Sequence, residues 1–142
     1  MKKFLVIFAA FLVCCHGISI QEQKQMMVGA AQECKNEVGA TDNELSLLIL
    51  KKPMVTKEGK CLVACIMKSM GIVEDQKMNE QNFIDFVSVA AKNDAGIIKK
   101  MREIASKCEN IKDPDECEMA VMAIACIKKG ITENKIKIDI GV

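Results

Sequence analysis

The chain has 142 residues, an apolar fraction of 50% and a formal net charge of +1. This length suits one domain with its own hydrophobic core. The near-neutral charge provides no single-sign field that would favour nucleic acid or an anionic membrane as a partner.

The first 17 residues have the pattern of a secretory signal peptide. After "MKK", an apolar run extends from Phe4 to Cys15, and Cys15 and Gly17 supply small side chains at the −3 and −1 positions of a cleavage site. A transmembrane anchor is the alternative, but this run is shorter than the about 20 residues that cross a hydrocarbon core. We therefore predict a signal peptide at residues 1–17, a secreted single domain at residues 18–142, and no stable membrane insertion.

The predicted secreted part contains an even number of cysteines, which in an oxidising compartment favours disulfide bonds. They are Cys34, Cys61, Cys65, Cys108, Cys117 and Cys126. A zinc site would need two close cysteine pairs or histidines, and the sole histidine, His16, is removed with the signal peptide. A redox pair formed by Cys61 and Cys65 has no better support. We expect no metal and no cofactor.

Two amphipathic helices are predicted before residue 53. In "QMMVGAAQECKNEVG" the apolar residues recur at i, i+4, i+7 and i+11, which is one face of a helix that Gly39 can end. In "TDNELSLLILKKP" Thr41 and Glu44 have the spacing of a capping box, and the helix should stop before Pro53.

Three further helices follow the same pattern. "GKCLVACIMKSMG" places Cys61 and Cys65 on one side with Leu62 and Ile66, and Gly71 closes the helix. "NEQNFIDFVSVAAK" and "DAGIIKKMREIASKC" each have one apolar face. The inward faces of these two helices contain Phe83, Phe86, Val87 and Ala90, and Ile97, Met101, Ile104 and Cys108.

The last helix has a strong predicted start, with Asp113 as N-cap and Pro114 at its first position. It continues as "MAVMAIACI", which is apolar on every face, before Lys128, Lys129 and Gly130. A helix without a polar side belongs at the centre of a bundle.

Six helices and no convincing β-hairpin predict an all-α domain, a compact bundle of about six helices. The tail "KIKIDIGV" is an exception, because Ile136, Ile138 and Ile140 alternate with polar residues as in an extended segment. This apolar edge suits a wall or lid across a pocket, although a frayed terminus is an equal alternative.

Helix geometry limits the cysteine pairing without deciding it. Cβ atoms one turn apart are separated by about 5–6 Å, whereas a disulfide needs about 3.8 Å, so Cys61 should not pair with Cys65. Cys117 and Cys126 lie half a revolution apart on one helix and cannot pair either. Of the 15 possible connectivities, about ten remain.

The full spacing, Cys-x26-Cys-x3-Cys-x42-Cys-x8-Cys-x8-Cys, resembles that of the insect odorant-binding proteins, the pheromone and general odorant-binding family. "GKCLVAC" and "DECEMA" resemble that family as well, and the match covers essentially the whole predicted secreted chain. The resemblance implies three interlocked bonds, Cys34–Cys65, Cys61–Cys117 and Cys108–Cys126. It also implies a secreted carrier of small hydrophobic molecules, such as odorants or pheromones, in a cavity between helices.

The expected pocket wall comes from the inward helix faces and the tail. The predicted ligand-binding residues are Leu62, Ile66, Met70, Phe83, Phe86, Val87, Ile98, Met101, Met119, Met122 and Ile138. Flexible methionines suit a pocket for varied ligands, but the same residues at helical spacing are also typical of a solid core. No buried polar group can be assigned, so we expect shape and apolar contact to hold the ligand.

An enzyme is the competing class, and the residue inventory argues against it. Without a histidine in the secreted part, and with its cysteines in disulfides, Ser/His and Cys/His arrangements are not available. Asp113, Asp115 and Glu116 already have a role near the positive end of a helix dipole.

A stronger alternative is a secreted protein of the same fold that scavenges a metabolite or contacts another protein outside olfaction. Saposin-like lipid handling is a third option, but its cysteines are distributed differently. We expect a monomer or weak dimer whose contact with an olfactory or other membrane receptor is at most indirect.

Overall fold

The computed structural model describes residues 17–140, and in that range it confirms the all-α class. The helices are α1 (Ile20–Val38), α2 (Asp42–Ile49), α3 (Lys57–Ser69), α4 (Glu80–Ala90), α5 (Ala95–Cys108) and α6 (Glu116–Glu133). Two short strands, β1 (Val73–Glu74) and β2 (Lys77–Met78), lie between α3 and α4. Apart from Gly17, the predicted signal peptide lies outside the described residues.

Local sequence signals set the ends of the first two helices. The Ser19 hydroxyl accepts from the Glu22 N–H at 3.2 Å, and the Glu22 carboxylate accepts from the Ser19 N–H at 2.7 Å, so α1 begins with a capping box. Gly39 ends α1 with a left-handed φ of 70°, as predicted. The predicted capping box of Thr41 and Glu44 opens α2.

The Glu44 carboxylate joins the starts of α2 and α3. It accepts from the Thr41 N–H at 2.8 Å and from the Thr56 hydroxyl at 3.1 Å, and Thr56 in turn caps α3 by accepting from the Gly59 N–H. Glu44 is the buried charged residue of the described chain. Its hydrogen bonds with Thr41, above all, lower its pKa to about 2.

The strand pair corrects the expectation that the chain has no β-hairpin. Val73 pairs with Met78 and Glu74 with Lys77, and the two connecting residues, Asp75 and Gln76, both have positive φ. This geometry is that of a two-residue turn of the primed type, whose usual sequence signal is Asn-Gly or Asp-Gly. The Asp-Gln sequence lacks the glycine, so the turn was not predicted.

The start of α6 differs from the prediction. The N-cap is Asp115, which accepts from the N–H groups of Cys117 and Glu118, while Asp113, two residues earlier, accepts from the Asp115 N–H. The helix also continues through Gly130 to Glu133. A Cβ at Gly130 would lie 2.6 Å from the Ile104 side chain, so this glycine permits close packing of α6 against α5.

Helix α3 is the central helix, which corrects the expectation that the last helix lies at the centre of the bundle. It packs against α1, α2 and α6, and six of its residues are buried. Three disulfides fix this arrangement, with Cys34–Cys65 joining α1 to α3, Cys61–Cys117 joining α3 to α6, and Cys108–Cys126 joining α5 to α6. This pairing is the one that the family resemblance implied. It explains the two cysteines one turn apart on α3, which anchor that helix to two different partners.

Candidate functional site

An apolar cavity lies inside the bundle, and every main element except α5 contributes to its wall. The lining residues are Met27 of α1; Leu48 of α2; Val63, Ile66, Met67 and Met70 at α3; Ile72 and Met78 at the hairpin; Phe83 and Phe86 of α4; Ile124 and Ile127 of α6; and Ile140 of the tail. All thirteen side chains are apolar. The cavity can therefore solvate hydrocarbon and offers no side-chain hydrogen bond to a polar group.

The cavity is small in this conformation. The cavity volume is about 50 Å³, whereas ligand pockets usually measure about 300–1,000 Å³. Four of the lining residues are methionines, whose unbranched side chains change rotamer readily. A ligand of odorant size would therefore need the lining side chains to move outward.

The C-terminal tail forms part of the wall. Ile140 is buried, with 7% of its surface exposed, and it lines the cavity, while Ile136 and Ile138 pack half-buried against the main core. Asp139 forms an ion pair with Lys51, just after α2. The described part of the tail is thus attached to the bundle through both apolar and charged contacts.

The structure brings four of the predicted ligand-binding residues to the cavity: Ile66, Met70, Phe83 and Phe86. Leu62, Val87, Met101 and Met119 are fully buried but do not line it. Leu62 belongs to a second apolar cluster between α1 and α3, and the other three belong to the main core. Their side chains fill the bundle around the cavity.

The remaining predicted positions do not line the cavity either. Ile98 and Ile138 are half-buried at the edge of the core, and the tail residue that reaches the cavity is Ile140. The expectation that Met122 faces inward is wrong, because 44% of its surface is exposed. The helix α6 turns Met119 and Ala123 inward instead, so it has a solvent side in spite of its apolar sequence.

Nine lining residues were not predicted: Met27, Leu48, Val63, Met67, Ile72, Met78, Ile124, Ile127 and Ile140. Some of them carried a usable signal. Met27 is on the apolar face assigned to α1, and Ile140 is in the alternating tail, so both belonged to segments already predicted to face inward. For Val63, Met67, Ile124 and Ile127, the helices are apolar on more than one side, and periodicity cannot rank the faces.

Metal clusters and membrane-spanning helices are both absent from the described part of the chain. Residues 17–140 contain no cluster of three or more histidine, cysteine, aspartate or glutamate side chains positioned to hold a metal ion. None of the described helices combines the length and the hydropathy needed to span a membrane.

Comparison with known proteins identifies a family and a fold. A model of the PBP/GOBP family matches residues 19–130. General odorant-binding protein 19d of Drosophila melanogaster is 35% identical over 111 residues, which cover 77% of this chain and 74% of that protein. General odorant-binding protein 28a of the same organism is 32% identical over 126 residues, covering 87% of each.

Solved structures show the same arrangement of helices. The odorant-binding protein dmelOBP28a from Drosophila melanogaster superposes with a TM-score of 0.72 at 31% identity, over 82% of this chain and 98% of that one. The fatty acid binding protein OBP56a from the oral disk of the blowfly Phormia regina has a TM-score of 0.68 at 24% identity, over 83% and 99%. At that identity the second likeness supports the fold alone.

Proposed function

This chain belongs to the PBP/GOBP family, and we propose that it is a secreted carrier that binds small hydrophobic molecules in its internal cavity and transports them through aqueous fluid. The observation that carries the proposal is the wholly apolar wall described above. A carrier needs a cavity that excludes water without reacting with its contents. Secretion and the absence of catalysis stay predictions.

The chemistry of the wall favours a flexible aliphatic ligand. Methionine, isoleucine and valine side chains supply many weak contacts with no fixed geometry, so discrimination would rest on length and shape. A ligand of about 16 heavy atoms reaches micromolar affinity at about 0.5 kcal/mol per atom, which apolar contacts can provide.

The small volume makes the proposal more specific. Since the cavity measures about 50 Å³, binding must displace wall side chains, and the free energy of that displacement is subtracted from the affinity. We therefore expect micromolar rather than nanomolar binding, together with a graded dependence on chain length. Such affinity suits a carrier that must also release its ligand.

A displacement titration tests the proposal. An apolar fluorescent probe should bind residues 18–142, and long-chain alcohols, esters or aldehydes should displace it at micromolar concentration. No probe binding and no displacement across a broad panel would contradict a carrier role and favour the protein-contact alternative.

Two residues of α6 provide a matched pair of variants. Ile124 lines the cavity, whereas Met122, two positions earlier, is exposed and lines no part of it. Ile124→Phe should place a bulky aromatic ring in the cavity and weaken binding several-fold. Met122→Phe should leave binding unchanged. Equal effects of the two variants would show that the ligand binds elsewhere.

A further inference from the structure

A groove with a basic rim adjoins the apolar cavity. Its floor contains Leu48, Val63 and Ile124, three residues that also line the cavity, and its rim contains Lys51, Lys52 and Lys128. The groove has a volume of about 350 Å³, which is within the usual range for ligand pockets. The groove and the cavity therefore share one wall, with apolar residues inside and cations outside.

The cations of the rim are not all compensated. Ion pairs among the described residues join Lys51 to Asp139 and the adjacent Lys129 to Glu133, and none of them includes Lys52 or Lys128. Lys128 is half-buried. Its pKa is lowered mainly by this burial and, to a smaller extent, by repulsion from the nearby Lys51 charge. A partly desolvated ammonium group without a counter-ion is a position where an anion would be stabilised.

From the shared wall and the basic rim, we propose that this groove binds the anionic head of an amphipathic ligand whose aliphatic chain enters the apolar cavity. The ligand class is a single-chain carboxylate. This inference rests on the proposed carrier function and goes beyond it by naming the ligand's polar end and the residue that recognises it. Lys128 is the principal partner, because Lys51 already pairs with Asp139.

Sequence patterns contain no signal for this site. Lys51 and Lys52 follow α2, and Lys128 follows the apolar run of α6, so their meeting depends on the packing of those segments around α3. Since each lysine appears in the sequence as an ordinary solvated residue at the end of an apolar segment, only their placement around one groove indicates an anion site.

The test compares ligands that share one aliphatic chain and differ only in the head group. Dodecanoate, 1-dodecanol and methyl dodecanoate are titrated against the apolar probe at pH 7.4, below their aggregation thresholds. We expect dodecanoate to bind at least tenfold more tightly than the two neutral ligands. Added salt at 0.5 M should reduce this preference and leave the affinity for the neutral ligands unchanged.

Two lysine variants locate the effect. Lys128→Met retains the aliphatic stem and should remove most of the dodecanoate preference, with little change for 1-dodecanol. Lys129→Met is the matched control, since Lys129 is the next residue, has a 76% exposed side chain and lies outside the groove, and it should change neither affinity. Circular dichroism verifies that both variants fold.

The outcomes separate this inference from the carrier proposal. If dodecanoate and 1-dodecanol bind equally, or if both lysine variants reduce dodecanoate affinity alike, the groove is not the head-group site and the carrier proposal stands. If none of the three ligands binds, both proposals fail.

Discussion

The C-terminal tail provides a direct test of how the cavity is closed. A protein that ends at Lys135 lacks the residues that contain Ile140 and the Asp139 partner of Lys51. All three disulfides and the whole of α6 precede the cut, so the helices should stay folded. The truncation therefore changes the cavity wall without removing the frame that supports it.

The expected loss follows from the contact that Ile140 makes. Ile140 has only 7% of its surface exposed and lines the cavity, and a ligand that loses about 60 Å² of apolar contact loses about 1.5 kcal/mol at about 25 cal/mol per Å². That free energy corresponds to about a tenfold weaker affinity. Water entering the open side should weaken binding further, so we expect a loss of tenfold or more.

Probe displacement by 1-dodecanol measures the affinity of the full and truncated proteins, and far-ultraviolet circular dichroism checks the helices. Ile140→Ala should reproduce most of the loss. Lys137→Ala, an exposed position of the same tail, should have no effect. Equal affinity of the full and truncated proteins would refute the wall, and equal losses in the two point variants would show that Ile140 has no special role.

Gly130→Ala should destabilise the protein by about 1–2 kcal/mol in urea unfolding, because the clash of the new Cβ with Ile104 costs more than the gain of about 1 kcal/mol in helix propensity. Unchanged stability would refute the close approach of α6 to Ile104. Glu44→Gln should lower Tm most above pH 4.5, and the difference in Tm between the two proteins should shrink as the pH falls toward 2. The Glu44 carboxylate has a folded pKa of about 2 and an ordinary value of 4.5, so it stabilises the fold only while it is ionised. A Tm difference that stays constant with pH would contradict this. Met122→Lys should change stability by less than about 0.5 kcal/mol and leave 1-dodecanol affinity unchanged, since the side chain is exposed; loss of folding would return Met122 to the core. Affinity for 1-dodecanol should stay nearly constant from pH 7.5 to 6, because residues 18–142 contain no histidine, and a sharp loss centred near pH 6.5 would contradict this.

Features that depend on neighbouring residues were predictable from the sequence. The capping box of Thr41 and Glu44 and the helix end at Gly39 need only a few consecutive residues, and both are present. The disulfide pairing is different, because geometry excluded some pairs and only the family resemblance selected one connectivity. The predicted N-cap of α6, Asp113, lies two residues before the observed one, because Asp115 offers the same carboxylate closer to the apolar run.

The cavity wall was less predictable, because it depends on which side of each helix faces empty space. Helix α3 buries both Leu62 and Val63, and only Val63 reaches the cavity, while Leu62 packs toward α1. Hydrophobic periodicity identifies a buried position, but it does not show whether the neighbour is another side chain or a void. On α6 it is harder still to predict which residues face the cavity, since Met122 and Ile124 occur in one unbroken apolar run.

The disulfides divide the cavity wall into two parts, and this division bears on how a ligand enters. Helices α1, α3, α5 and α6 are joined covalently, whereas α2, the hairpin, α4 and the tail have no disulfide among the described residues. Leu48, Phe83, Phe86 and Ile140 therefore belong to elements held by packing, hydrogen bonds and ion pairs alone. Because noncovalent contacts open at a lower free energy than a cross-linked frame, we infer that the cavity enlarges by movement of this second part.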